Sequence, residues 1–205
     1  MNLLDRSLEE YLQLVSTGGK EAAGGSTLAV SAAMGSQLVV MYCDISLNKL
    51  RKYENKNLDI DTDSNFELLA QGKEKARILG EDFKKFVEKD VEVVTRYFKT
   101  KTDDAAKELA LIPFLTAQRS KELLQLIFSL QNQGHGPLEP DLMAASYQGR
   151  NALFGSLVNT YQNLNMITDS DFTKMLNSES RRIEDFGREI VDKIDKVYYR
   201  SANNG

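Results

Sequence analysis

Residues 22–38 read Ala-Ala-Gly-Gly-Ser-Thr-Leu-Ala-Val-Ser-Ala-Ala-Met-Gly-Ser-Gln-Leu. A glycine pair and a serine open a helix whose faces are built from Ala, Ser and Gly. Glycine lets a backbone turn, or approach a ligand, where other residues cannot. A helix N-terminus presents unpaired N–H groups and a partial positive charge, which suits an anion. The small side chains behind it let a second helix pack at close range. One segment therefore combines a candidate binding loop with a tight packing face. The apolar run 27–43 is interrupted by Ser31, Ser36 and Gln37. It is short for a membrane span and reads as a buried core helix.

Elsewhere apolar residues recur at spacings of three and four, strand-like alternation is nearly absent, and prolines occur only at 113, 137 and 140. This pattern predicts an all-α chain. Six helices are expected, over about 7–15, 26–49, 64–98, 103–131, 140–165 and 170–199. Ser7-Leu8-Glu9-Glu10 and Ser64-Asn65-Phe66-Glu67 both fit a capping box. Pro113 is expected to kink the fourth helix, and Pro140 suits the first position of the fifth. The polar stretch 51–63 and residues 134–140 are expected loops, and the tail 201–205 is expected to fray. The prediction is a single-domain, multi-helical bundle over 1–205. Its small-residue faces leave room for a homodimer.

The chain has 205 residues, enough for a full core. Its 26 Lys+Arg against 30 Asp+Glu give a net charge of −4, which argues against nucleic-acid binding as the main role. A lone cysteine, Cys43, excludes an internal disulfide and fits a cytoplasmic setting. The acidic N-terminus, with Asp5, Glu9 and Glu10, is no signal peptide. No membrane association is expected.

The sequence also narrows the chemistry. One histidine, His135, and one cysteine cannot build a zinc site. His135 reads either as an exposed loop residue or as a proton-transfer group. There is no nucleophile elbow, Walker loop or dinucleotide fingerprint. Any reaction must rest on carboxylates, amides, lysines and backbone N–H groups. Ala76, Phe83, Asp90 and Tyr97 lie seven apart on the third helix and form one column. A carboxylate in that column should be partly desolvated, with a raised pKa. It is either an acid–base group or a hydrogen-bonded structural aspartate.

On the fifth helix Ala145, Gly149, Ala152, Ser156, Asn159 and Asn163 share a face. The small residues predict close helix packing; the two asparagines are either cross-helix partners or ligand contacts. Asp141, at the start of that helix, complements its dipole or acts chemically. Asp141 and Asn163 stand ~33 Å apart along a straight helix. They cannot meet at one carbon within a subunit, so they serve different parts of a long ligand or a second subunit completes the site. Lys49, Arg51 and Lys52 are either dipole partners or a contact for an acidic tail.

These residues together resemble the cyclodeaminase/cyclohydrolase family of tetrahydrofolate one-carbon enzymes. Ser7-Leu8-Glu9-Glu10-Tyr11-Leu12 is similar to the family's first helix. Gly24-Gly25-Ser26 falls on the end of its Pro-Gly-Gly-Gly-Ser loop. Cys43–Lys49 and Tyr53-Glu54 resemble the continuation of its second helix, and Asp90 matches the aspartate of its third. Ile112-Pro113-Phe114 resembles its Val-Pro-Leu. Gly134 and Asp141 keep the spacing of its Gly-Asn…Ser-Asp loop, and Asn159 with Asn163-Leu164 matches its Asn-Val-x-x-Asn-Leu. The chain departs from the pattern at Ala22, Ala23, His135 and Pro140, and at Val91 and Val93 after Asp90.

The resemblance implies an all-helical homodimer that binds a tetrahydrofolate derivative and needs no cofactor beyond it. One expected activity is methenyltetrahydrofolate cyclohydrolase, slightly preferred for a stand-alone chain. The other is formiminotetrahydrofolate cyclodeaminase. Asp141 or Asp90 is the expected catalytic carboxylate. Gly24, Gly25 and Ser26 would position the ligand, Asn159 and Asn163 would bond the pterin or bridging atoms, and Lys49 would meet the glutamate tail. The altered loops motivate an alternative, a folate-binding or purely structural homologue that has lost the chemistry.

Overall fold

A computed structural model of the chain describes residues 3–18, 22–54 and 62–203. After a short 3-10 turn at Leu3–Asp5, the helices are α1 (Leu8–Thr17), α2 (Gly24–Glu54), α3 (Thr62–Thr100), α4 (Asp103–Leu130), α5 (Glu139–Leu164) and α6 (Ser170–Asn203). Among the described residues there is no strand. The expected all-helical bundle of about six helices is the observed fold.

The ends follow local chemistry. Ser7 and Glu10 form the expected reciprocal capping box of α1, which ends on Gly18 at φ 63°. Thr102 caps α4 by accepting from the Ala105 N–H. The second expected capping box lies just inside α3, where the side chain of Ser64 is outside the description. Helix enters the expected loop 51–63 at both ends: α2 continues to Glu54 and α3 begins at Thr62, while 55–61 lie outside the described residues. The tail is likewise more helical than expected, since α6 runs through Asn203. Helix α4 passes through Pro113 without interruption.

Helices α2, α3, α4 and α5 close a ring, each packed on the next, and α6 lies across α4 and α5. One apolar cluster fills the ring, with Val39, Tyr42, Leu69, Phe83, Leu124 and Leu153 wholly buried. Burying a side chain the size of Phe83 contributes ~2–3 kcal/mol. The small residues set the helix separations. A Cβ on Gly149 would press on Leu124 of α4 at 3.2 Å, and one on Gly155 would strike Leu28 of α2 at 2.5 Å. Ala145, Ala152 and Ser156 are buried beside them. Close packing is therefore what the small face of α5 does.

Helix α2 is long and apolar enough, by composition, to cross a membrane, yet half of its most apolar window is buried within the protein. It is a core helix, as its serines and glutamine imply. A polar network closes the far end of the ring. The Tyr42 hydroxyl accepts from the Gly134 N–H at 2.9 Å and donates to Glu139 at 2.7 Å. Ser46 accepts from the His135 N–H at 2.9 Å. Cys43 sits in the core, and burial pushes its thiol up to about 12, so it is unreactive at neutral pH.

Candidate functional site

The first turn of α2 leaves backbone N–H groups without helical partners. Asp90 of α3 fills one of these vacancies: its Oδ2 accepts from the Ser26 N–H at 2.9 Å. Ser26 secures the same turn by accepting from the Ala23 N–H at 3.1 Å and donating to the Ala23 carbonyl at 2.9 Å. Asp90 thus caps a helix from another element. It is also only 7 % exposed.

Two effects compete on this carboxyl. Desolvation disfavours the anion, and the Ser26 N–H favours it. Desolvation wins, and the pKa rises to about 6. The group therefore changes protonation just below neutrality, where acid–base exchange is efficient.

Gly25 is glycine because of this carboxyl. A Cβ there would lie 2.1 Å from Asp90 Oδ1. The close approach seen here is to Asp90, and Gly25 also lines the cavity onto which that carboxyl opens. Gly24 is under no such constraint, since a Cβ there would meet only the Asn159 amide nitrogen at 3.9 Å.

Asp90 opens onto a cavity of about 230 Å³ lined also by Gly24, Gly25, Tyr97, Pro113, Asn159 and Asn163. A larger groove of about 610 Å³ adjoins it and shares Ala23, Gly24 and Asn159. Side by side, the two offer room for an elongated ligand next to Asp90. A polar clamp ties the start of α4 to the segment that leads into α6. Asp103 accepts from the Thr168 N–H and hydroxyl, at 2.5 and 2.8 Å, and Lys107 bridges Asp103 and Asp169.

The fold thus gathers Gly24, Gly25, Ser26, Asp90, Asn159 and Asn163 from three helices. Among the described residues Asn159 forms no side-chain hydrogen bond, so its amide is available to a ligand. Asn163 donates to the Leu109 carbonyl at 2.8 Å. Two candidates lie elsewhere. Asp141 is at the opposite end of α5, ~33 Å from Asn163. Lys49 is near the far end of α2, ~36 Å from Gly25. His135 is beside Ser46 at that same far end. Among the described residues no group of three His, Cys, Asp or Glu side chains could hold a metal.

The cavity and the groove also contain residues that the sequence did not single out for binding. Leu109, Phe98 and Met166 wall the cavity. Val15, Leu28 and Val158 wall the groove. They read as ordinary helix-face residues. Only the proline in α4 carried a signal, because it strips a donor from the residue four earlier.

The profile of the Formiminotransferase-cyclodeaminase family matches residues 7–182, which takes in every residue of this site. No curated protein sequence matches the chain. The fold is similar to the crystal structure of formiminotetrahydrofolate cyclodeaminase from Thermotoga maritima, with a TM-score of 0.84 at 19% identity over 96% of this chain and 97% of that one. The buried aspartate, the glycine-serine turn and the paired asparagines therefore sit on a shared scaffold, and the chain belongs to the Formiminotransferase-cyclodeaminase family.

Proposed function

We propose that this protein is a folate one-carbon enzyme whose working carboxyl is Asp90. The observation that carries the reading is this buried carboxyl, with a pKa of about 6, held by Ser26 at a cavity flanked by Asn159 and Asn163. The family and the solved relative's name point to formiminotetrahydrofolate cyclodeaminase. That activity becomes the lead reading, ahead of the cyclohydrolase.

In the reaction, N10 attacks the carbon of the formiminium cation on N5 and a C–N bond forms. Asp90 as carboxylate takes the N10 proton and hands it to the terminal nitrogen. The bond from the carbon to that nitrogen then breaks. Ammonia leaves, and the methenyl cation remains. One proton moves from N10 to ammonia, so the carboxyl ends as it began. Gly24 and Asn159 contact the ligand, and the adjoining groove takes its extended part. The reaction needs no cofactor beyond the folate. In the cyclohydrolase version the same carboxylate activates water against the methenyl carbon.

We place the enzyme in the cytoplasm as a homodimer. Leu8, Leu12 and Met34 are well exposed, and Leu4, Val30, Met34, Leu38 and Met41 line an apolar groove of about 480 Å³. Such a face fits a second copy; a strictly monomeric mass by light scattering at micromolar concentration overturns this part. A second copy is also the route by which Asp141 or Lys49 could reach a ligand.

The alternative, a homologue without chemistry, is motivated by Ala22 and Ala23, which border the groove where the family pattern has Pro and Gly. One assay separates the readings. Purified protein is mixed with 5-formiminotetrahydrofolate, and methenyl absorbance is followed; decay of methenyltetrahydrofolate is followed in parallel. Catalysed appearance of the methenyl band supports the deaminase. Rates equal to buffer for both substrates, in folded protein, overturn the enzyme reading.

A further inference from the structure

Proline inside a helix has no N–H to give the carbonyl four residues earlier. In α4 the proline is Pro113 and the deprived carbonyl is that of Leu109. Leu109 is buried, so its carbonyl needs another donor. Asn163 of α5 supplies it, donating from Nδ2 at 2.8 Å. Turning the amide over would set oxygen against oxygen, so this partner dictates the orientation of the Asn163 side chain. Among the described residues Asn163 makes no other side-chain hydrogen bond, and it lines the same cavity as Asp90 and Pro113.

We infer that Pro113 is a positioning residue for ligand recognition: through the Leu109 carbonyl it locks Asn163 with its Oδ1 as a fixed hydrogen-bond acceptor facing the Asp90 cavity. The inference rests on the folate reading and extends it to substrate choice. A carboxylate and a fixed acceptor together match a cation that carries N–H donors. The formiminium group has N–H hydrogens on its terminal nitrogen. The bridged methenyl cation has none on N5, on the carbon or on N10, so it offers Asn163 no donor among the reacting atoms. Asn159, with no such lock, adapts to donor or acceptor.

The discriminating probes are 5-formiminotetrahydrofolate and 5-formyltetrahydrofolate, which place a donor nitrogen and an acceptor oxygen at the same point. Pro113→Ala restores a backbone donor to Leu109 and frees the Asn163 amide to turn. This variant should fold well, because alanine favours a helix interior over proline. It should lower kcat/KM for 5-formiminotetrahydrofolate by about tenfold or more, the usual weight of a hydrogen bond to a charged group. By calorimetry its Kd for 5-formyltetrahydrofolate should stay the same or tighten.

Asn163→Leu should reproduce the loss in the wild-type background and add little in Pro113→Ala, since both act through one contact. If Pro113→Ala changes neither quantity, or weakens both equally, the proline is merely structural and the inference is overturned while the folate reading stands. If the wild-type protein neither turns over the formimino substrate nor binds the formyl probe, the folate reading fails and this inference falls with it.

Discussion

Asp90→Asn keeps the shape of a buried side chain and removes its charge. In the native protein the Asp90 carboxyl has a pKa of about 6, raised mainly by burial from the ordinary 3.8. The native state therefore holds the proton more tightly than the unfolded chain. Below about pH 4 both states are protonated and the carboxyl behaves as a neutral group. As pH rises from 4 through 6, the unfolded chain ionises first and the native state loses stability relative to it. Above about pH 7 the loss is complete, at ~3 kcal/mol. Asparagine never ionises, and its carbonyl can still accept from the Ser26 N–H.

The variant should therefore match the wild type near pH 4 and exceed it by up to ~3 kcal/mol at pH 8. For a chain of this size that is ~6–12 °C in Tm. Urea melts and thermal scans from pH 4 to 8, at one protein concentration, read the difference. Turnover should fall about 10²-fold or more, because the proton carrier is gone. A site that is destabilising when intact is the usual cost of function. A variant less stable than wild type at pH 8, or a stability difference that does not vary with pH, would refute the reasoning about desolvation.

Three further outcomes are expected. Gly25→Ala puts a Cβ 2.1 Å from Asp90 Oδ1, so it should displace the carboxyl, cost ~1–3 kcal/mol in denaturant melts and abolish ligand binding by calorimetry; intact affinity would show that the turn has slack. Tyr42→Phe removes the hydroxyl shared by Gly134 and Glu139, which should cost ~1–3 kcal/mol of stability and leave kcat/KM within about threefold of wild type, because the network lies at the far end of the ring from Asp90. Asp141→Asn should change turnover by less than about tenfold, since Asp141 lies at the other end of α5 from the cavity; a loss of about 10² or more in a folded protein would instead place Asp141 of a second copy at the reacting atoms.

Much of the site was legible because its parts break helical expectations. Asp90 stands in an otherwise apolar or aromatic column, which by itself indicates a desolvated carboxyl. Gly24-Gly25-Ser26 opens a helix with residues that hold a turn and leave donors free. Asn159 and Asn163 occupy a face of small residues. Other features were less legible. Gly25 makes room for Asp90, a fact of two helices meeting that spacing along one of them cannot reveal. The stretch 51–63 looked like a loop because it is polar, yet both long helices extend into it. The tail was expected to fray because it is terminal, yet α6 continues to Asn203.

Asn163 shows the boundary most clearly. Its two possible roles were visible in the sequence, but nothing local connects it with Pro113. The connection runs through the Leu109 carbonyl, across the packing of α4 on α5. Periodicity, caps and composition by themselves determined that the chain is helical, where most helices begin, and which polar residues would be buried at a cost. Those properties are set by residues within a turn or two of one another. Tertiary structure alone decided that Ser26 and Asp90 meet, that Asn159 and Asn163 join them at one cavity, and which end of the Asn163 amide is left for a ligand. Each of these depends on how far helices slide and rotate against one another, and that is settled by small residues and side-chain volumes spread over the whole core.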